Sequence, residues 1–95
     1  MRTVMKVELT GVKDLGAIHF LRAEWWRGES RAVVLRYAIE GQEQEMGLRL
    51  DMDKRVIIDP LTDAGIVTQD TIRRRTEQIW QIVAKRRATD TAFSG

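Results

Sequence analysis

The side chains that could carry out catalysis are few, and His19 is the first to consider. It is the single histidine among 95 residues. As a general base it would need a positioned partner, such as the carboxylate of Glu24. Its apolar neighbours favour a partly buried structural histidine instead. The serines, Ser30 and Ser94, lie in no nucleophile motif. We therefore expect a protein that is not an enzyme, with a small enzyme or ligand binder built on His19 as the third hypothesis.

Metal and cofactor chemistry finds no clear pattern either. Carboxylates could supply the oxygen ligands that Mg²⁺ or Ca²⁺ prefers, and the best group of aspartates is Asp51, Asp53, Asp59 and Asp63. However, Asp51 and Asp53 stand beside Lys54 and Arg55, which is typical of a charged hairpin tip. Cysteine is absent, which excludes cysteine-based zinc and iron–sulfur sites. The sequence predicts no metal and no cofactor.

Basic residues are concentrated towards the C-terminus. The net charge is +2, but residues 69–95 carry six Lys and Arg against three Asp and Glu, leaving ten against eleven in residues 1–68. At helical spacing such a cluster could neutralise phosphates of a nucleic acid. The candidate residues for nucleic-acid binding are Arg73, Arg74, Lys85, Arg86 and Arg87. A solvated basic face is the alternative interpretation of the same pattern.

The element that would carry this cluster is one long amphipathic helix over residues 69–87. Thr76, Ile79 and Val83 recur at helical spacing and form an apolar stripe. Lys85 to Arg87 would then lie near the negative end of the helix dipole. Residues 88–95 show little pattern, so we expect a frayed tail.

Four or five short strands precede the helix. Residues 3–9, 31–39, 44–52 and 55–59 show the alternation of half-buried strands or a short apolar run, with turn residues between them. Residues 17–26 are ambiguous: a strand is favoured, and a helix over residues 13–27 between the first two strands is the alternative. Short successive strands favour an antiparallel meander with the helix packed on one face. The fold class is therefore α+β.

Adjacent tryptophans point to a surface. Trp25 and Trp26 on one strand must face opposite sides of the sheet, so one of them lies away from the helix. Exposed tryptophan and arginine are enriched in binding interfaces. The residues that we expect to contact a partner on this side are Phe20, Arg22, Trp26 and Arg36.

Length and composition limit the remaining possibilities. Ninety-five residues predict a single domain. No apolar run approaches the roughly 20 residues of a membrane span, and the absence of cysteine favours a cytoplasmic protein. The leading hypothesis is a non-catalytic protein-interaction module that associates with itself, as a homo-oligomer, or serves as a subunit of a larger assembly. The alternative is a nucleic-acid-binding accessory protein that uses the basic helix.

Overall fold

The structure, a computed structural model, describes residues 3–28, 31–54, 56–60 and 69–94, with side-chain surroundings for residues 3–28, 31–54 and 73–89. Two predicted candidates, Ser30 and Asp63, lie outside the described residues, as do the side chains of Asp59 and Ser94. The elements are β1 (Val4–Glu8), β2 (Ile18–Trp26), β3 (Ala32–Ile39), β4 (Met46–Asp51), β5 (Val56–Pro60) and α1 (Gln69–Ser94).

The strands form one antiparallel sheet in the order β1-β2-β3-β4-β5. This confirms the α+β meander with a single C-terminal helix. The ambiguous segment is a strand, so the alternative helix over residues 13–27 is not needed. Tight turns between neighbouring strands depend on glycine, because Gly28 and Gly41 have φ of 90° and 89°, which side chains with a Cβ rarely adopt.

A β-bulge in β2 determines which of its residues reach the core. The pairing with β3 runs from Phe20 opposite Tyr37 to Arg22 opposite Arg36, so Leu21 is an extra residue without its own partner on β3. The alternation of faces therefore changes phase at Leu21. Ile18 and Phe20 before it, like Trp25 after it, are buried on the same side of the sheet.

The prediction that Phe20 lies on the face away from the helix is thus wrong. Its side chain is only 5 % exposed and belongs to the core. Strict alternation counted back from Trp26 puts Phe20 and Trp26 on one face, but the additional residue at the bulge reverses that relation. Trp26 itself lies on the predicted face.

Strands β3 and β4 follow the predicted alternation without interruption. The inward residues of β3 and the end of β4 are almost completely buried, and they are Val33, Leu35, Tyr37, Ile39, Leu48, Leu50 and Met52. Their outward neighbours Val34 and Arg36 are half-buried and Arg49 is exposed. This uninterrupted apolar surface is what the helix covers.

Helix α1 closes the core with the stripe predicted from its spacing. Ile79 and Val83 are fully buried and Thr76 nearly so. Polar contacts fix its position over the loop after β1: the Arg75 Nε donates to the Lys13 carbonyl at 2.8 Å, and the Gln78 Nε2 donates to the Gly11 carbonyl at 3.0 Å. Burial and these bonds together hold the helix against the β1–β2 hairpin.

The helix is longer than predicted and ends at Ser94. Residues 88–94, expected to be a frayed tail, are helical. Consequently Lys85, Arg86 and Arg87 do not lie in the last turn, and the predicted interaction with the helix C-terminal dipole does not apply to them. The end of the helix is difficult to predict from the sequence, because the residues after Arg87 are mostly small or polar and show no helical period of apolar residues.

The two adjacent tryptophans make a direct test of this arrangement. Trp25 is 6 % exposed and Trp26 is 46 % exposed. Trp25→Ala should lower the free energy of unfolding by about 3–5 kcal/mol because it empties a buried site, whereas Trp26→Ala should lower it by about 1 kcal/mol or less because much of the ring is already in water. Urea denaturation of both variants measures the difference. Equal losses would mean that the two rings do not lie on opposite faces.

Candidate functional site: the open sheet face

The side of the sheet opposite α1, called here the open face, presents apolar side chains to solvent. Trp26 is 46 % exposed and Val4 is 41 % exposed, and these are the large hydrophobic residues exposed in the described part of the chain. They are direct cross-strand partners, Val4 on β1 and Trp26 on β2. Side chains opposite each other in an antiparallel pair are in contact range, so the two form a single apolar patch.

A depression of about 640 Å³ includes both residues of this patch in its lining. Its lining combines apolar residues with three basic residues and the acidic Glu24. The residues of the open face that line it include Val4, Lys6, Trp26, Val34, Arg36 and Arg49. The combination of an exposed aromatic ring with basic side chains around a concave surface is suited to contact with another molecule.

Four charged residues form an arginine–glutamate cluster beside the depression, consisting of Arg22, Glu24, Arg36 and Glu45. Both terminal nitrogens of Arg22 donate to Glu45, Nη1 to Oε2 at 3.0 Å and Nη2 to Oε1 at 2.7 Å. Its Nε donates to Glu24 Oε2 at 3.2 Å, and the Arg36 Nε donates to Glu24 Oε1 at 3.0 Å. Two positive and two negative groups therefore make a neutral network.

Glu24 has a specific electrostatic role in this network. Arg22 and Arg36 are opposite each other in the β2–β3 register, and like charges in that position repel. The side chain of Glu24 is 16 % exposed and accepts one hydrogen bond from each arginine. It thereby neutralises a repulsion that the strand pairing would otherwise impose.

The ionisation of the cluster is shifted accordingly. Burial alone would raise the pKa of Glu24, but the hydrogen bonds from Arg36 and Arg22 outweigh it and lower that pKa below the usual glutamate value. The hydrogen bond from Arg22 lowers the pKa of Glu45. The hydrogen bond to Glu45 raises the pKa of Arg22, against a smaller opposing effect of burial. These shifts keep both glutamates and Arg22 charged at neutral pH.

Three of the four residues predicted to contact a partner lie on the open face: Arg22, Trp26 and Arg36. Phe20 does not, because the bulge at Leu21 turns its side chain towards the core. Sequence reasoning did not assign Glu24 to this set, although alternation from Arg22 and Trp26 places it on the same face. Glu45 could not have been found this way, because it precedes β4 and meets Arg22 across 23 positions of the chain.

His19 has a different carboxylate partner from the one expected. Its Nδ1 lies 2.7 Å from Asp14 Oδ2, with side-chain exposures of 40 % and 52 %. Glu24, the predicted partner, is occupied by the two arginines. His19 is thus a half-exposed residue held to the loop before β2, and the predicted His19–Glu24 pair is not formed.

The aspartates considered for metal binding act in a turn. The Asp51 Oδ1 accepts hydrogen bonds from the backbone amides of Asp53 and Lys54 at 3.0 and 3.1 Å. Such a side-chain cap favours the turn after β4, in agreement with a hairpin tip. Over residues 3–28, 31–54 and the described part of α1, no group of three acidic or histidine side chains is arranged to hold a metal ion.

The residues predicted to bind nucleic acid are divided by the packing of α1. Arg73, Arg74, Lys85 and Arg86 are exposed. Arg87 is half-buried, with its guanidinium carbon 5.8 Å from the centre of the Trp25 ring, a cation–π distance. The side chain of Arg87 therefore lies against the core residue Trp25.

No family model, curated protein or solved structure matches this chain. In the described residues, no helix has the length and apolarity needed to cross a membrane.

Acid titration tests the role of Glu24. Its pKa is lowered in the folded chain, whereas the pKa of a glutamate in an unfolded chain is about 4.3. The ionised group therefore stabilises the fold above about pH 5, and this contribution is lost as the pH falls through the folded pKa. Glu24→Gln should lower stability at pH 7 and should lose less of its remaining stability between about pH 5 and pH 3.

The measurement is urea unfolding at several pH values for the original chain, Glu24→Gln and a control. Glu43→Gln is a suitable control because Glu43 is exposed and lies outside the cluster. Its acid dependence should match that of the original chain. An equally steep loss of stability in Glu24→Gln would contradict the assigned role.

Proposed function

We propose that this chain is a non-catalytic protein-interaction module, self-associating or a subunit of a larger assembly, with the open face as its contact surface. The observation that carries the proposal is the exposure of Trp26 next to Val4, in a depression that they line together with Lys6, Arg36 and Arg49. A cytoplasmic location fits this role, since the absence of cysteine is ordinary in a reducing compartment.

The apolar patch provides the favourable free energy in this proposal. The exposed part of Trp26 amounts to roughly 100 Å², and covering it would contribute about 2–3 kcal/mol before the entropic cost of association. Val4 adds to the same contact because it is the cross-strand neighbour of Trp26. In most interfaces a few buried residues, often aromatic, contribute most of the binding free energy, and the contacts around them contribute little.

The arginine–glutamate cluster keeps the charged side chains next to Trp26 in fixed positions. Arg22 is held by three hydrogen bonds to carboxylates, so its side chain loses little further freedom when a partner binds. Lys6, Arg36 and Arg49 line the depression against one acidic residue, Glu24, and this positive balance favours a partner that brings carboxylates. The surface is therefore most complementary to an apolar side chain flanked by acidic groups.

Site-specific photocrosslinking tests the proposal even while the partner is unidentified. A benzophenone amino acid placed at Trp26 should give a protein adduct in the cells that make this chain, because position 26 lies at the centre of the contact. The matched control is Gln81, which is exposed on α1 and should give none. Adding Val4→Asp to the position-26 protein should reduce its adduct severalfold.

The mass of the adduct separates the two forms of the proposal. Two cross-linked copies of an 11.0 kDa chain would indicate self-association through the open face, and any other mass a different subunit. If positions 26 and 81 react equally, or position 26 gives no adduct, the open face is not the contact surface.

Nucleic-acid binding is the second candidate, favoured by the exposure of Arg74 and Lys85. They are eleven positions apart in α1, so they lie on the same side of the helix, about 16 Å from each other. Two cations at this separation could contact two phosphates of one strand. Glu77 lies between them in the chain and weakens the local positive potential.

Charge reversal distinguishes this candidate from the first. The double variant Arg74→Glu, Lys85→Glu should abolish binding to labelled single-stranded and duplex oligonucleotides, measured by fluorescence anisotropy at low salt, and should leave the position-26 adduct unchanged. The slope of log affinity against log salt for the original chain would count the neutralised phosphates. Absence of binding at low salt would exclude this candidate.

A further inference from the structure

Strand β1 is an edge strand of the sheet, and among the described residues its outer side faces no other strand. The Leu9 amide donates to the Leu21 carbonyl, and the Arg27 amide donates to the Thr3 carbonyl, so the odd-numbered residues of β1 face β2. In an antiparallel pair, the backbone groups of successive residues point alternately towards and away from the neighbouring strand. The amides and carbonyls of Val4, Lys6 and Glu8 therefore point away from β2. Within the described residues, no strand lies on that side.

The opposite edge of the sheet is less suited to accept another strand. Strand β5 ends in Pro60, which has no amide to donate. Its register with β4 passes from Asp59 opposite Arg49 to Ile57 opposite Leu50, so Ile58 forms a bulge. Proline and bulges both discourage pairing at an edge. Strand β1 has neither feature, and its register with β2 is regular throughout.

Charges on the open face of β1 define what could pair with it. Lys6 lies opposite Glu24, and Glu8 lies opposite Arg22, so each charge of β1 already has an opposite charge on its β2 side. A strand added on the free side would continue this pattern if it placed a carboxylate opposite Lys6 and a cation opposite Glu8. The added strand therefore needs a carboxylate and a cation two residues apart. A second β1 strand running antiparallel meets this requirement with its own Glu8 and Lys6.

We propose that the occupant of this edge is β1 of a second copy, paired antiparallel about a two-fold axis through Val7. This register places each Lys6 opposite Glu8 of the other copy, and these outward-facing residues exchange four backbone hydrogen bonds across the axis. It goes beyond the proposed function, because it assigns a second surface: the β1 edge joins two copies, and the open face keeps its own contact. Shifting the axis to Lys6 would set the two Lys6 side chains against each other, which is unfavourable.

The helix side of the sheet is also compatible with this arrangement. Met5 and Val7 on that side are half-buried and pack against the edge of the core. The two Val7 side chains would meet at the axis, with the half-buried Met5 of each copy beside them. Apolar surface that remains partly exposed in one copy is thereby covered in two.

The pairing leaves the open face available. A two-fold axis perpendicular to the sheet keeps both open faces on the same side, so the sheet would continue through ten strands with one Trp26 patch on each half. The edge would therefore unite two copies, and the open face would bind a further partner. The two surfaces are chemically independent and can be changed separately.

Complementary charge variants test the proposed register. Lys6→Glu alone sets the new carboxylate of one copy against Glu8 of the other, and Glu8→Lys alone sets the new ammonium group against Lys6. Each variant should therefore dimerise about tenfold more weakly or worse. An equimolar mixture of the two variants restores both opposite-charge pairs between unlike chains. The mixture should dimerise at least as well as the original protein at low salt, where screening is weak.

Sedimentation velocity over a concentration series measures the mass, with circular dichroism to verify the fold of each variant. Each variant also loses one attraction to β2, but that loss persists in the mixture, so recovered association cannot arise from restored folding. Glu43→Lys changes the charge by the same amount at an exposed position outside both surfaces; it serves as the matched control and should keep the original dimer. Loss of the position-26 adduct with the dimer intact would overturn only the proposed function.

Three results would overturn the inference itself. These are an original chain that remains at 11.0 kDa at every concentration, single variants that dimerise as well as the original chain, and a mixture that associates no better than its components.

Discussion

The bulge at Leu21 is the constraint on which the arrangement of both faces depends. Without it, β2 would turn Ile18 and Phe20 away from the helix while keeping Trp25 inside, and the core would lose a large aromatic ring. With it, the first half of β2 fills the core and the second half delivers Arg22, Glu24 and Trp26 to the other side. One extra residue thus makes a nine-residue strand serve two purposes.

The open face combines repulsion and compensation in a small area. Strand pairing sets Arg22 and Arg36 against each other, and Glu24 and Glu45 neutralise them at hydrogen-bond distance. The result is an ordered polar region beside an apolar patch, rather than a general basic surface. A partner would therefore meet a defined shape with fixed donors, which favours specificity over broad adhesion.

Periodicity predicted most of the fold because most strands obey it. Strands β3 and β4 alternate without interruption, and the stripe of Thr76, Ile79 and Val83 indicated both the helix and its buried side. Phe20 was misplaced because a bulge has no signature in an alternating pattern, which shows only residue types and not which residue lacks a cross-strand partner. The helix end was underestimated because small and polar residues after Arg87 carry no apolar period.

The polar contacts were less predictable than the elements. Glu24 shares its face with Arg22 and Trp26 by simple alternation, so its place in the cluster follows from the strand. Glu45 joins from a turn far away in the chain, and Asp14 rather than Glu24 meets His19. Such pairings depend on how loops fold back over the sheet. A single sequence does not show which residues far apart in the chain become close in space. The free edge of β1 likewise became visible only with the strand order.

The attachment of α1 to the loop after β1 has a consequence for how the chain folds. Arg75 and Gln78 reach Lys13 and Gly11 across more than sixty positions, and every strand precedes the helix in the chain. During synthesis the sheet would be complete while its apolar side still faced water. The closing step joins the most distant segments, which slows it relative to hairpin formation. Until the helix docks, the exposed apolar side of the sheet makes this state the one most vulnerable to aggregation.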